Sequence, residues 1–541
     1  MFYIAPGWEN EIKELTQDLL NELIGLLREG RRPLRIIILN FLPNLRYILH
    51  ENMLTSARYW SVWDAILDVQ KANGMPLTPE ELDLPADVEL VYSKRSVSIY
   101  RHDQFYGKIN INNRGFVSEV QITDAQNPHT DVYDDRGFKV QTNYYQGSTV
   151  MATDWFNEAG DLIVQWELMR DQQVQIMAEH DRFAQRTYEN LDQLLAEFVD
   201  KMLTADFDSA TDALVASIDQ RPRELMMWLQ NRMPVNYVLG HAGYLDSDRI
   251  EAITPQIQGS RYLFVDNQYT LEQLRNELDP ATQEHVRGGY PYGTQMRLGN
   301  SNEERNSIIY WKLGPRTTDS MRDQAMDVFF DYLAEHDDVG LLVQTSSYAN
   351  RELIIDRAIR TLRQNFDYLT DKEQGLLEDI MRGDNRATLI EKLTQQLQAR
   401  HFKEQKKAGV KEIEFLELND LYQALMTVEI RVNPKSYVIF AELNRARVLV
   451  DLGEPYNTAM QLSAISAGIP QINLFESPLV IDHQNGWVLH HGQTLVQGLD
   501  YFLQELGNWN QALVESVQFM EKFSMTHQAN WWEKMLYGKE S

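Results

Sequence analysis

The chain has 541 residues, 43% apolar and 24% charged, which is longer than one hydrophobic core usually organises and too apolar for a disordered polymer. Lys and Arg number 51 against 79 Asp and Glu, a formal net charge of -28. A surface of that sign repels phosphate backbones, so nucleic acid is excluded as a partner unless basic residues cluster. The one basic run, Lys403–Lys411, reads as a solvated helix face. Absence of cysteine excludes disulfides and thiolate metal sites.

In chain order, Met1–Ala5 is a short apolar run closed by Pro6 and Gly7, the pattern of a buried strand ending in a turn. Ile12, Leu15, Leu19, Leu20, Leu23, Leu26 and Leu27 then recur at helical spacing, and Ile36–Leu39 supplies a second buried strand. This is the βαβ rhythm of a parallel sheet. Acidic residues follow Trp8 directly, with no cationic leader, so no secretory signal is expected. No apolar run approaches the roughly 20 residues of a membrane helix, and a cytoplasmic protein is expected.

From Val88 to Leu168 the pattern alternates, as in Val97–Tyr100 and Lys108–Ile111. The turns Asn112–Gly115, Asp134–Gly137 and Asn157–Gly160 share one chemistry. Each opens with an Asn or Asp able to bond its own backbone, and each carries a Gly three positions on that can take a positive φ. They predict an inserted antiparallel meander.

Beyond it, residues from Phe183 and Tyr188 through Met202 mark one long amphipathic helix. Val235–Leu239 and Tyr262–Val265 read as buried strands, and Leu271–Leu278 as a helix. A second αβ set runs through Ile308–Trp311, Leu341–Gln344, Val428–Val432, Val448–Asp451 and Gln471–Leu474. Phe366–Lys407 is helical with a break at Gly383 and Asp384, and apolar residues from Leu495 to Trp532 predict terminal helices. The expected fold class is α/β: two Rossmann-like lobes with an inserted antiparallel β-sheet domain in the first lobe, an arrangement that the resemblance described next implies to be GT-B-like. The expected divisions are 1–75 (N-terminal stretch of the first lobe), 76–175 (inserted extended sheet), 176–305 (remainder of the first lobe), 306–509 (second lobe) and 510–541 (C-terminal helices packing back on the first lobe).

The segment Val448–Pro470 reads strand, loop, helix, Gly-x-Pro turn, and resembles the nucleotide-sugar segment of retaining GT-B glycosyltransferases. In that family two glutamates of this segment hold the donor sugar and the ribose. Anchored on Gly468 and Pro470, their positions fall on Pro455 and Ser463, eight apart, and neither is a carboxylate. Glu454 stands one residue early, with Asn457 in the same loop, and Leu462 follows eight residues after Glu454, so no shift restores both acids. A serine gives the ribose one weak contact where a carboxylate gives a charged, bidentate one. Gly468-Ile469-Pro470 also fits a plain helix stop. Arg316, with Arg322 as a distant substitute, stands where the family neutralises the donor diphosphate, and equally fits a solvated loop. His241, beyond a first-lobe strand, stands where related transferases face the sugar, and equally fits a structural hydrogen bonder. These six, His241, Arg316, Glu454, Pro455, Asn457 and Ser463, are candidates for a degenerate cleft. No metal spacing, nucleophile elbow or phosphate loop is present, and no catalytic residue, metal or cofactor is expected.

Met1–Trp8, Tyr290–Ser301, Ile308–Trp311 and Leu499–Asn510 together resemble the first of the accessory Sec system proteins of Gram-positive bacteria. The resemblance implies a non-catalytic GT-B relative that joins the second and third accessory Sec proteins and the accessory SecA ATPase. It implies a serine-rich repeat glycoprotein adhesin as substrate, contacted through N-acetylglucosamine, and peripheral association with the inner face of the membrane through the translocon. The competing reading is an active retaining glycosyltransferase using Glu454, Arg316 and His241 in a shifted geometry.

Overall fold

A computed structural model describes residues 1–9, 19–94, 96–112, 115–123, 127–169, 173–178, 181–218, 222–239, 245–314, 317–365, 370–382, 386–408, 427–453, 456–489 and 493–537. The chain forms two compact units: 1–266, 271–291 and 529–541 make the first, and 267–270 with 292–528 the second.

The first unit is built on a seven-stranded parallel sheet of β1 (Phe2–Ala5), β2 (Leu34–Ile38), β3 (Tyr59–Ser61), β14 (Ala213–Ser217), β15 (Val235–Val238), β16 (Tyr262–Val265) and β17 (Val286–Gly288). Its order, β17-β16-β15-β14-β1-β2-β3, runs outward in both directions from β1 and β14, the doubly wound arrangement of a Rossmann sheet. Parallel strands covered by helices on both faces must be apolar throughout, and every residue of β1, β14 and β15 is buried. The helix Leu19–Glu29 buries Leu19, Leu20, Leu23, Ile24, Leu26 and Leu27, the helical spacing that the sequence predicts; Ile12 and Leu15 lie outside the described residues.

Between β3 and β14 the chain inserts a ten-stranded antiparallel meander, with neighbours in strict chain order. Its strands are β4 (Val88–Tyr92), β5 (Ser96–Arg101), β6 (Gln104–Ile111), β7 (Val117–Ile122), β8 (His129–Asp134), β9 (Phe138–Gln146), β10 (Thr149–Phe156), β11 (Leu162–Glu167), β12 (Val174–Ile176) and β13 (Thr187–Tyr188). All three turn glycines adopt the expected left-handed conformation, φ 88° at Gly115, 86° at Gly137 and 86° at Gly160. The turn-opening side chains accept from their own backbone: Asn112 from Phe116 N (3.2 Å), Asp134 from Arg136 N (2.9 Å) and Asn157 from Ala159 N (3.0 Å). Val132, Trp155, Val164 and Val174 share one core with the lobe residues Trp63, Leu194 and Phe198, whereas Val97, Ile99, Ile109 and Val120 form a separate small cluster under Leu82.

Two expectations need correction here. The sheet does not stop at Leu168 but continues through β12 and β13, where Tyr188 pairs with Val174. The following helix accordingly starts later, as Leu191–Asp206, with Asn190 as its cap accepting from Gln193 N. Tyr188 has the apolar periodicity of the helix, but the β12 edge and a hydrogen bond to Glu197 draw it into the sheet.

The second unit carries a six-stranded parallel sheet of β18 (Ser307–Leu313), β19 (Val339–Thr345), β20 (Val428–Val432), β21 (Ala446–Asp451), β22 (Gln471–Asn473) and β23 (Gly486–Val488), ordered β20-β19-β18-β21-β22-β23. It is again a Rossmann sheet, so the two-lobed reading holds. The helices Tyr348–Asn365, Asp371–Arg382 and Arg386–Ala408 account for the long helical segment; Gly383 and Asp384, and the side chains of Lys403–Lys411, lie outside the described residues.

The terminal helix Met525–Tyr537 places its residues from Ala529 onward in the first unit. Within that unit Trp532 is fully buried, its ring is 4.6 Å from that of Phe264, and its Nε1 donates to Tyr290 O at 2.8 Å.

Candidate binding site at the switch point of the second sheet

Doubly wound sheets take ligands beyond the carboxyl ends of their strands, where the strand order reverses. In the second sheet that point lies between β18 and β21. The last residues paired across it are Lys312 and Asp451. The register continues on both sides, giving one transverse row Arg431–Gln344–Lys312–Asp451–Asn473. Residues paired across strands share a face. Two positions earlier on the same face, Leu342, Tyr310 and Leu449 pack with Met460 and Ala464 of the helix Thr458–Ala467. A polar row thus edges an apolar strip, beneath the start of that helix.

Each member of the row is tied differently. Arg431 donates through Nε to Glu442 at 2.9 Å and through Nη2 to Glu429 at 2.5 Å. Burial works against its charge, yet these carboxylates hold its pKa above the ordinary value. Gln344 accepts from the hydroxyl of Tyr310 at 2.7 Å. Asp451 is 2% exposed, and Lys312 Nζ lies 3.7 Å from its Oδ2. Its Oδ1 accepts from Gly453 N and its Oδ2 from Asn457 N, both at 3.1 Å, so one carboxylate holds both backbone amides. Asn473 is completely buried, and neither its Oδ1 nor its Nδ2 finds a partner among the described residues.

The two candidates of this segment that fall among the described residues are engaged by their own helix. Asn457 is the N-cap, accepting from Met460 N at 2.9 Å. The Ser463 hydroxyl donates to Ala459 O at 2.7 Å, as serine does inside helices. Gly468 ends the helix in the left-handed region, φ 71°. Arg322, the proposed substitute for a diphosphate partner, is bound to Asp319 and Asp323 at 2.7 and 2.8 Å. His241, Arg316, Glu454 and Pro455 lie outside the described residues. Sequence reasoning missed Asp451 and Asn473: both read as plain strand residues, and the signal available was only their polarity within largely apolar strands. Among the described residues no three His, Asp or Glu side chains are grouped to hold a metal, and no helix is long and apolar enough to cross a membrane.

Comparison with known proteins agrees with this architecture. Residues 4–540 match the family model of the first accessory Sec system protein of the Asp group. The accessory Sec system protein of that name from Streptococcus gordonii is 24% identical, with 99% of each chain covered. Among solved structures, a complex of accessory secretory proteins 1, 2 and 3 from Streptococcus pneumoniae aligns over 100% of both chains at 19% identity and a TM-score of 0.69. The pneumococcal O-GlcNAc transferase GtfA, solved with UDP and GlcNAc, aligns over 99% of both chains at 10% identity and a TM-score of 0.65, a likeness of fold alone. With a family model matched over nearly its whole length and a GT-B fold to accompany it, this chain belongs to the family of the first accessory Sec system protein.

Proposed function

We propose that this chain is a non-enzymatic component of the accessory Sec system, a GT-B relative whose donor site has degenerated. In this reading it assembles with the second and third accessory Sec proteins. The complex binds a serine-rich repeat glycoprotein adhesin, partly through its N-acetylglucosamine, and passes it to the accessory SecA ATPase. Contact with the membrane is then indirect, through the translocon.

The observation that carries the chemical half of the proposal is the engagement of Ser463 and Asn457 by their own helix. A ribose needs an acceptor aimed outward, and a serine hydroxyl bonded back to its own helix offers none with a charge. The assembly half is supported by the full-length likeness to a chain solved together with its sister proteins. Affinity purification from cells co-expressing this chain with the second and third accessory Sec proteins tests it. A stable ternary complex is expected, and a chain that elutes alone counts against the reading.

A further inference from the structure

We infer that β4, the outer edge of the inserted sheet, is a docking site for an extended, positively charged segment of another protein, which adds to the sheet as a further strand. No residue of the second sheet is involved, and a degenerate donor site is not presupposed.

An antiparallel sheet exposes a row of unpaired N–H and C=O groups at each edge, and folded proteins ordinarily blunt such edges with proline, lysine, bulges or very short strands. One edge of this sheet is treated in that way: β13 has two residues and leads through the cap Asn190 into the helix Leu191–Asp206. The β4 edge is not. Its five residues, Val88-Glu89-Leu90-Val91-Tyr92, include neither proline nor lysine, and all five pair with β5 without a register shift.

The alternation of an antiparallel ladder decides which groups are open. Ser93 N donates to Ser96 O at 2.9 Å just beyond the strand, so Val91 and Glu89 bond β5, and the backbone groups of Leu90 and Tyr92 point away from it. Val88 N, the outward amide at the other end, is taken by Pro85 O at 3.3 Å. The N–H and C=O of Leu90 and of Tyr92 are then without partners among the described residues, at the spacing an added strand requires. The neighbouring side chains are accessible, Val91 being 53% and Tyr92 56% exposed.

Charge selects the occupant. Between Thr78 and Tyr92 the chain carries Glu80, Glu81, Asp83, Asp87 and Glu89, all exposed, and no Lys or Arg. Among the described residues Asp87 alone of these five is paired with Arg, through Arg101 Nε at 2.8 Å. Glu89 flanks the edge on one face of the strand. On the other face the Tyr92 hydroxyl donates to Glu80, which brings a second carboxylate beside the same edge. A second copy of this chain would carry the same acids to the seam, and like charges across a strand pair are destabilising. A strand with lysine or arginine at alternate positions meets opposite charge instead.

The probe is a short synthetic peptide alternating lysine with threonine and valine, fluorescently labelled and titrated at low salt into the full chain. Binding is expected, with new hydrogen-exchange protection at the amides of Leu90 and Tyr92 and no change at Glu89 and Val91. The same peptide with glutamate for lysine, or N-methylated throughout, should bind at least about tenfold more weakly. The methylated peptide keeps its charge but cannot donate, so equal binding by it shows mere attraction of a cation to a negative surface and overturns the inference. Absence of binding, or new protection elsewhere than in β4, overturns it as well. Glu80→Lys with Glu89→Lys should reverse the preference in favour of the glutamate peptide, and a folded variant with unchanged preference contradicts the assignment. If sedimentation shows a dimer that Val91→Lys dissociates, the edge belongs to a second copy and the inference fails.

Discussion

The guanidinium of Arg136 closes a two-point ion pair on Asp64, with Nη2 2.8 Å from Oδ1 and Nη1 3.1 Å from Oδ2. Arg136 stands in the β8–β9 turn of the inserted sheet, and Asp64 in the helix Val62–Leu67 of the parallel lobe. The same guanidinium holds Asp134 through Nε at 2.7 Å. The pairing fixes the insertion to the lobe at the one turn whose glycine, Gly137, is packed against backbone.

Arg136 is 7% exposed, so its loss takes the guanidinium from the buried Asp134 and the half-buried Asp64. Burial already holds Asp64 above the ordinary aspartate value even with Arg136 bonded to it. Arg136→Leu should lower stability by about 3–5 kcal/mol, read as a drop in urea midpoint. An unchanged midpoint shows that the pair does not anchor the sheet.

Glu197 gives a pH signature. Burial opposes its charge, but the Lys201 ammonium, the Tyr188 hydroxyl and the amide of Ala184 hold its pKa below the ordinary glutamate value. A depressed folded pKa stabilises the protein above the unfolded value, and the contribution disappears as pH falls through the folded one. Glu197→Gln should cost about 1–3 kcal/mol at neutral pH. Thermal melts of the variant should also lose less on acidification below the unfolded value than those of the wild type; parallel curves contradict the assignment.

Much of the fold is legible in the sequence because local chemistry and tertiary demand agree there. The apolar runs at Met1–Ala5 and Ile308–Trp311 become strands buried on both faces, and the Asn and Asp turns close as their glycines require. Legibility fails where partners distant in sequence decide. Tyr188 carries a helical spacing but pairs with Val174. β14, a central strand, is only five residues with small side chains at its start and end, too short to stand out from its flanks. In the candidate site, Pro455 and Ser463 at the positions where the resemblance expects acids are visible in one dimension. The role of Asp451 is not, since it arises only when the amides of Gly453 and Asn457 reach its carboxylate.

Gly468 tests the helix stop that anchors the comparison with transferases. A Cβ there would meet Leu513 Cδ1 at 2.4 Å and Leu298 Cδ2 at 2.9 Å, at φ +71°. Gly468→Ala should destabilise by roughly 1–3 kcal/mol through left-handed strain and overpacking, measured by chemical denaturation. A neutral result means that the turn tolerates a side chain.

Asn457 separates structure from ligand binding. As an N-cap it should cost about 1 kcal/mol when changed to Ala and recover most of that as Asp. Complex formation with the sister proteins should be unaffected by either change. Loss of assembly in a stable Asn457→Asp variant would instead place this loop at an interface.

The most direct test is nucleotide release from UDP-N-acetylglucosamine by the purified chain, alone and with its sister proteins, in the presence of a serine-rich acceptor. The proposed non-enzymatic role predicts release no faster than buffer alone. Sustained turnover that vanishes in Glu454→Ala would contradict it and make the chain a working transferase.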